Sequence, residues 1–371
     1  MMKKQVVFVG AGHAHLYCLT NLRRIQSLGA ETTVISPNEH HYYSGMGPGL
    51  LSGIYSPAEC RFFVEKMAKQ NNARFIKEKV IKVNPENNQL ILNSGKEIFY
   101  DVVSFNVGSE IDKSTIDELK GEVIPIKPIE NLLLARQTIL KLNSKNLKRF
   151  YIIGGGAAGV EVAGNLWRLL ASTKLNAEIN IVSTENILSQ YPKKVRSCAL
   201  KSLLQRGIKV YERTKVERID GSKLSLKDTT NLEQDFVFLA TGIQPTNIFS
   251  DSGLPLAEDS SFLVNSHLQS LMYDNIFGGG DCISLKNKPL KKIGVYAVRQ
   301  NRILFNNICK LLSHGDLEEF KPQKKYLLIL NLGNGKGIAW RGNRTLYGKF
   351  PFLLKNYIDK RFMKKFQISE N

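Results

Sequence analysis

The chain has 371 residues, 43% of them apolar and 9% aromatic, with 52 Lys and Arg against 33 Asp and Glu for a formal charge of +19. That length accommodates two or three domains with separate cores, and no apolar run approaches the roughly 20 residues a membrane-spanning helix needs. The five cysteines (Cys18, Cys60, Cys198, Cys282, Cys309) form neither a Cys-x-x-Cys nor a zinc spacing, which argues against dithiol chemistry and for buried thiols.

In chain order, Met1–Gln5 passes into an apolar strand without a signal-peptide core, which predicts a cytoplasmic protein. The strand Gln5–Val9 runs into Gly10-Ala11-Gly12-His13-Ala14-His15 and then an apolar helix over Leu16–Ile25. Gly10 and Gly12 match a G-x-G-x-x-G dinucleotide fingerprint, with His15 at the third glycine position, where its bulk should hold the helix off the strand. The second strand ends at Ser36, leaving Ser36 and Glu39 as candidates for the ribose contact usually made by an acid. His40–Gly49 reads as a ligand-approaching loop rich in glycine and aromatics. Its two histidines, with His13 and His15, lack carboxylate or cysteine partners at metal-ligand spacing. Ser56-Pro57-Ala58-Glu59 opens a helix predicted to reach about Asn71. Short strands follow, the last over Tyr100–Asn106 and ending in Val107-Gly108-Ser109, and 110–149 reads as a linker with one helix over Ile129–Leu142.

The most informative stretch is Phe150–Leu166. A strand, Tyr151-Ile152-Ile153, meets Gly154, Gly156 and Gly159 in full fingerprint spacing, and a helical apolar pattern follows at once. Strand, glycine turn and helix N-terminus together make a pyrophosphate site. The next strand ends at Ser183, with Glu185 beyond it and no Lys or Arg between Leu175 and Pro192, which favours NADH over NADPH. Later strands end in Ala240-Thr241-Gly242 and Gly278-Gly279-Gly280-Asp281, and a helix spans about Ile293–Leu312. From Lys321 to Asn371 there are twelve basic residues and two acids. Phe350, Leu353, Leu354, Tyr357, Ile358, Phe362 and Phe366 line one face of a helix, with Lys349, Lys355, Lys360, Arg361, Lys364 and Lys365 around it. This reads either as an in-plane helix on an anionic membrane surface or as a helix packed on the preceding fold. Nucleic acid is not expected as a partner, and a homodimer is left open.

Two ordered fingerprints with Val107-Gly108-Ser109, Ala240-Thr241-Gly242 and Gly280-Asp281 resemble the two-dinucleotide-fold flavoprotein reductases, the pyridine nucleotide-disulfide oxidoreductase superfamily. Within it, GAGHAH at 10–15, YSGMGPGLLSG at 43–53, GVYAVRQ at 294–300 and YIDKRFMKKF at 357–366 resemble the type II NADH dehydrogenase-like branch. More narrowly, they resemble the variant found alone or fused ahead of selenophosphate synthetase. The resemblance implies an α/β fold with two Rossmann-like domains, an FAD domain over 1–115 and 241–320, an NADH domain over 116–240, and a short basic segment over 321–371. It implies FAD contacts from Gly10, Ala11, Gly12, His13, Ala14, Ser36, Pro48, Val80, Gly108, Asp281, Tyr296 and Ala297. For NADH it implies Gly154, Gly156, Ala157, Ala158, Gly159, Ser183, Glu185, Thr241 and Gly242. Glu161 resembles the glutamate placed near the nicotinamide; otherwise it only complements its helix N-terminus. Val295 and Arg299 stand where many type II enzymes carry a glutamine pair, with Gln300 one position on. The cysteines do not match sulfide:quinone oxidoreductases or disulfide reductases. The expected activity is hydride transfer from NADH to FAD, then to an acceptor that is quinone or another oxidant. The alternatives are an accessory reductase in selenium or sulfur metabolism, and a redox-sensing module without turnover.

Overall fold

Two five-stranded parallel sheets, alike in their four inner-to-far-edge strands and differing in whether the remaining edge strand comes last or first in the chain, carry the molecule; the computed structural model describes residues 3–114, 116–227 and 230–368. In the first sheet Ile276–Gly278, Val102–Phe105, Lys4–Val9, Ala30–Ile35 and Arg74–Ile76 lie side by side. In the second the order is Ile124–Pro125, Phe236–Leu239, Lys148–Ile153, Ala177–Val182 and Lys209–Tyr211. Val6–Val9 and Phe150–Ile153 are buried on both faces, as continuous apolar runs in a helix-covered parallel sheet must be. Each glycine turn leaves the central strand of its sheet, Lys4–Val9 in the first and Lys148–Ile153 in the second, whose one neighbour is the sheet's next strand along the chain and whose other neighbour comes later in the chain. Strand order reverses there, and α/β sheets open their ligand crevice at that point.

The helix after the second turn, Ala157–Ala171, is unbroken and buries Val160, Ala163, Leu166 and Leu169. The helix expected over Leu16–Ile25 is two short ones, Leu16–Thr20 and Leu22–Gln26. Side chains break it: Thr20 Oγ1 donates to the Leu16 carbonyl at 3.1 Å and Asn21 Nδ2 to the Tyr17 carbonyl at 2.8 Å. Such back-bonding competes with the backbone ladder. The helix expected over 56–71 also divides. Its start is a complete capping box, with Glu59 N donating to Ser56 Oγ and Ser56 N to Glu59 Oε2. After Pro57–Cys60, however, the chain extends as Arg61–Phe63, pairs antiparallel with His40–Tyr42, and resumes as Val64–Gln70. Burial of Phe62 and the 4.3 Å His40–Phe63 ring contact favour the strand there. The expected loop 40–49 is accordingly the strand His40–Tyr42, a turn at Ser44–Met46 and a buried helix Gly47–Ser52.

The last segment forms an antiparallel sheet, Leu328–Asn331, Gly337–Arg341 and Arg344–Gly348, followed by the helix Lys349–Phe366. Leu330, Ile338 and Trp340 join the core of the second unit, whereas Met363 and Phe366 join that of the first. The C-terminal segment therefore ties both units together. Among the described residues no helix is long and apolar enough to cross a membrane.

Candidate functional site

A cavity of about 1330 Å³ lies between the units, lined by the first glycine turn, the start of Ala157–Ala171, the helix Gly294–Leu312 and the C-terminal helix. Its floor is the turn Gly10–Gly12. Gly10 has φ +80°, and a Cβ on it would lie 2.5 Å from the Asn106 carbonyl oxygen. A Cβ on Gly12 would lie 2.5 Å from Asn106 Oδ1. Bare backbone at both positions is what a pyrophosphate cradle requires, so this turn fits FAD.

Asn106, which the sequence did not single out, organises that turn. Its Oδ1 accepts from Ala14 N at 2.9 Å and from His15 N at 3.3 Å, while its Nδ2 donates to the Gly279 carbonyl at 2.6 Å. Ala14, expected among the FAD contacts, is thus buried with its amide already bonded and lies off the cavity wall. His15 is fully buried: Nδ1 reaches the Gly10 carbonyl at 2.6 Å and Nε2 meets Ser104 Oγ at 2.8 Å. Because the carbonyl only accepts, Nδ1 carries the proton and Nε2 accepts from the serine. Burial pushes the His15 pKa down to about 4, against the raising effect of the Gly10 bond. His13 lines the cavity, also lowered to about 4 by burial first and the Lys127 charge second, and packs edge-on to His41 and Tyr43. The imidazoles are therefore packing and hydrogen-bonding groups.

Of the residues expected to contact FAD, Ser36, Val80, Gly108, Asp281 and Ala297 line the cavity. Pro48 does not: it is buried within Gly47–Ser52. Tyr296 lies beside Ala297 but off the main cavity, in a small recess with Asp281 and Gln300. Glu39 points outward to Lys77 Nζ at 2.6 Å. Asp281 accepts from Lys127 Nζ at 3.0 Å and from Ser109 Oγ at 3.2 Å, so a cation from the second unit meets the acid of the first.

In the second unit, Ala157 and Ala158 face the cavity at the helix N-terminus, where amides and the helix dipole favour phosphate. Gly154, Gly156 and Gly159 build the turn beneath them. A Cβ on Gly159 would lie 1.9 Å from the Gly154 carbonyl, whereas around Gly156 there is open space. Thr241 Oγ1 bonds the Asp112 carbonyl, and Gly242 is at φ +125° beside it. Ser183 is buried against the turn; Glu185 is exposed and accepts from Ser189 Oγ at 2.5 Å. Arg196, on the following helix Lys193–Leu204 and outside the cation-free stretch, is committed to Glu212 at 2.6 Å.

Glu161 faces the cavity one turn into the helix, its Oε1 accepting from Asn331 N at 2.7 Å. Desolvation raises its pKa to about 7, outweighing Lys355 and the Asn331 bond, which lower it. Lys355, expected among the cations surrounding the helix's apolar face whether that face meets a membrane or the preceding fold, is buried instead, with Nζ donating to Asp359 Oδ2 and to the Gly45 carbonyl, each at 2.8 Å. Burial opposes its charge, but Asp359 and then Glu161 hold its pKa above the ordinary lysine value. Tyr43 donates to Asp359 Oδ1 at 3.3 Å, and burial, then Asp359, push its pKa well up. The i,i+4 spacing of Lys355 and Asp359 was the readable signal for this group. Phe362 and Phe366 turn inward too: Phe362 packs on Tyr43 at 4.8 Å and on His13 at 6.1 Å. Between Arg344 and Phe366 the exposed large apolar residues are Leu346, Tyr347, Phe350, Leu353, Tyr357 and Ile358. Cys18, Cys60, Cys282 and Cys309 are buried thiols as expected, and Cys198 is partly so.

Two nucleotide folds sharing a cavity, with a phosphate-ready turn in each, define an oxidoreductase that uses FAD and NADH. The profile described as pyridine nucleotide-disulphide oxidoreductase matches residues 4–301, and the chain belongs to that family. It is 26% identical to Ferroptosis suppressor protein 1 of Xenopus tropicalis, over 93% of this chain and 90% of that one. To the type II NADH:quinone oxidoreductase of Staphylococcus aureus it is 23% identical, over 97% and 95%. Among solved structures, NDH2 from Plasmodium falciparum in complex with NADH superposes with TM-score 0.80 at 16% identity, covering 98% of each chain.

Proposed function

We propose that this protein oxidises NADH and passes the electrons to a quinone, at the surface of a membrane. One observation carries the reading: the cavity runs from the first glycine turn and the Ala157–Ala158 helix start to Ile358 and Asp359 on the C-terminal helix. That helix also carries the exposed apolar face of Phe350, Leu353 and Tyr357, beside the exposed cations Lys349, Arg361 and Lys364. The names of two relatives above, an NADH:quinone oxidoreductase and an NADH complex, support the same donor and acceptor.

In the balanced reaction NADH, a proton and the quinone give NAD⁺ and the quinol. FAD, when bound, supplies the hydride acceptor and the electron store. The chain's own part is to hold the reactants and the proton. Gly10–Gly12, Asp281 and Ala297 would hold FAD, and the Ala157–Ala158 helix start would hold NADH. Glu161, raised by burial to about 7, exchanges a proton near neutrality where it lines the cavity, and the Asn331 amide holds its Oε1. Lys355 keeps a positive charge beside it, balanced by Asp359. Tyr43 lines that end, backed by the Phe362 ring. Apolar side chains with flanking cations suit an anionic interface, each cation contributing about 1 kcal/mol near it.

The test is NADH oxidation with and without a soluble short-chain quinone. Quinone should raise the rate well above that with oxygen alone, and no stimulation rejects the acceptor. For the surface, vesicles with anionic lipid should co-sediment the protein at low salt, and Phe350→Ser with Leu353→Ser should abolish it. Binding unchanged by that double substitution rejects the docking face.

A further inference from the structure

The first unit lacks the acid that dinucleotide folds usually place at the tip of the second strand to receive ribose hydroxyls. Ser36 stands there, and Glu39, the nearest acid along the chain, is turned outward onto Lys77. An unsatisfied requirement of this kind is met from elsewhere or not at all. The structure brings a carboxylate to the same end of the cavity from outside the first unit. Glu130, in the first turn of the helix Glu130–Lys141, lines the cavity together with Ser36, Pro37 and Asn38. Its Oε1 lies 3.5 Å from Asn38 Nδ2, two residues beyond the strand tip.

We propose that Glu130 takes the place of the missing strand-tip acid and accepts hydrogen bonds from the adenosine ribose hydroxyls of bound FAD. The assignment rests on the FAD placement given above, with the pyrophosphate on Gly10–Gly12. Three features single Glu130 out. It forms no ion pair among the described residues, so its charge is not spent on a neighbouring cation. Its carboxyl is desolvated enough that burial raises its pKa, against the lowering by its own backbone amide and Asn38. A carboxylate so placed gains from two hydroxyl donors, whose bonds to a charged acceptor are the strong kind. Finally, the segment that carries it, Lys127–Glu130, also delivers Lys127 to Asp281, so one stretch outside the first unit closes over both ends of its crevice. An acid in a first helical turn also complements the helix dipole. That role explains its position in the helix but not its seat on the cavity wall beside Asn38.

The experiment is a two-by-two cycle on deflavinated protein. Wild type and Glu130→Ala are each titrated with FAD and with the FAD analogue whose adenosine is 2′,3′-dideoxy, which keeps pyrophosphate and base. Wild type should bind the analogue about tenfold to a hundredfold more weakly than FAD. In Glu130→Ala the two ligands should differ by less than about twofold, because the hydroxyls have lost their acceptor. Glu130→Gln, which keeps one acceptor oxygen and the side chain's shape, should fall between. Equal discrimination in wild type and both variants overturns the assignment. Gly12→Val separates this from the underlying placement: full flavin retention by that variant overturns the placement itself. Flavin loss with no Glu130 coupling removes Glu130 alone.

Discussion

In the first unit the third fingerprint position is His15, whose ring bridges the Gly10 carbonyl and Ser104, while Asn106 ties the next strand's end to the turn. In the second unit the same places hold Gly159 and Ala240, and no side chain intervenes: Gly159 presses against the Gly154 carbonyl. The second turn is close-packed and leads straight into a continuous helix. The first is held open by hydrogen bonds, and its helix starts later and breaks at Asn21. A glycine fingerprint therefore specifies a distance between helix and strand, and that distance can be set by contact or by a polar strut. The strut adds something contact lacks, a dependence on protonation.

The largest test of this contrast is Gly159→Val. With backbone carbonyl at 1.9 Å from the new Cβ the helix must lift, and overpacking of that kind costs about 3 kcal/mol or more. A urea midpoint within experimental error of wild type would refute the close-packed reading. Next comes His15→Gly, which gives the first turn the second one's residue. It should destabilise by about 2 kcal/mol or more, because Ser104 and the Gly10 carbonyl lose their partner and a cavity opens. A stabilised variant would mean the first helix can close onto its strand after all.

Nucleotide choice should follow the second turn's surroundings. Ser183 and exposed Glu185 offer a 2′-phosphate no cation, and Arg196 is bound to Glu212, so NADPH should bind about tenfold to a hundredfold more weakly than NADH. Equal catalytic efficiency with both would contradict it.

The smallest effect is in the pH dependence, where the two units have opposite signs. His13 and His15 fall from 6.5 to about 4 on folding, so the stability they contribute is present above pH 6.5 and is lost as pH falls through about 4. Glu161 rises from 4.5 to about 7, so its contribution is present below pH 4.5 and is lost as pH rises through about 7. Denaturation midpoints between pH 4 and 8 should show His15→Gln flattening the acid limb and Glu161→Gln the neutral one. Substitutions that leave both limbs unchanged would dissociate these groups from stability.

Both turns, the strands that feed them and the Ser56–Glu59 cap were legible because each is a local pattern, complete within a few residues. What escaped the sequence was set by distant neighbours. Arg61–Phe63 continues an acceptable helix pattern until His40–Tyr42 arrives to pair with it. Lys355 looks like one of a ring of surface cations, and only the approach of Gly45 and Tyr43 makes its burial intelligible. Asn106 and Glu130 were silent for the same reason, since the groups they serve come from remote parts of the chain.

The interleaving of the two sheets has a consequence for synthesis. All five strands of the second sheet lie between Ile124 and Leu239, one uninterrupted stretch, whereas the first sheet waits for Ile276–Gly278. On a ribosome the later-encoded unit therefore has its complete sheet first, and the earlier-encoded one stays an open-edged four-strand intermediate until the second has emerged. Chain closure around the cavity comes last of all, because Lys355 and Asp359 arrive with the final helix.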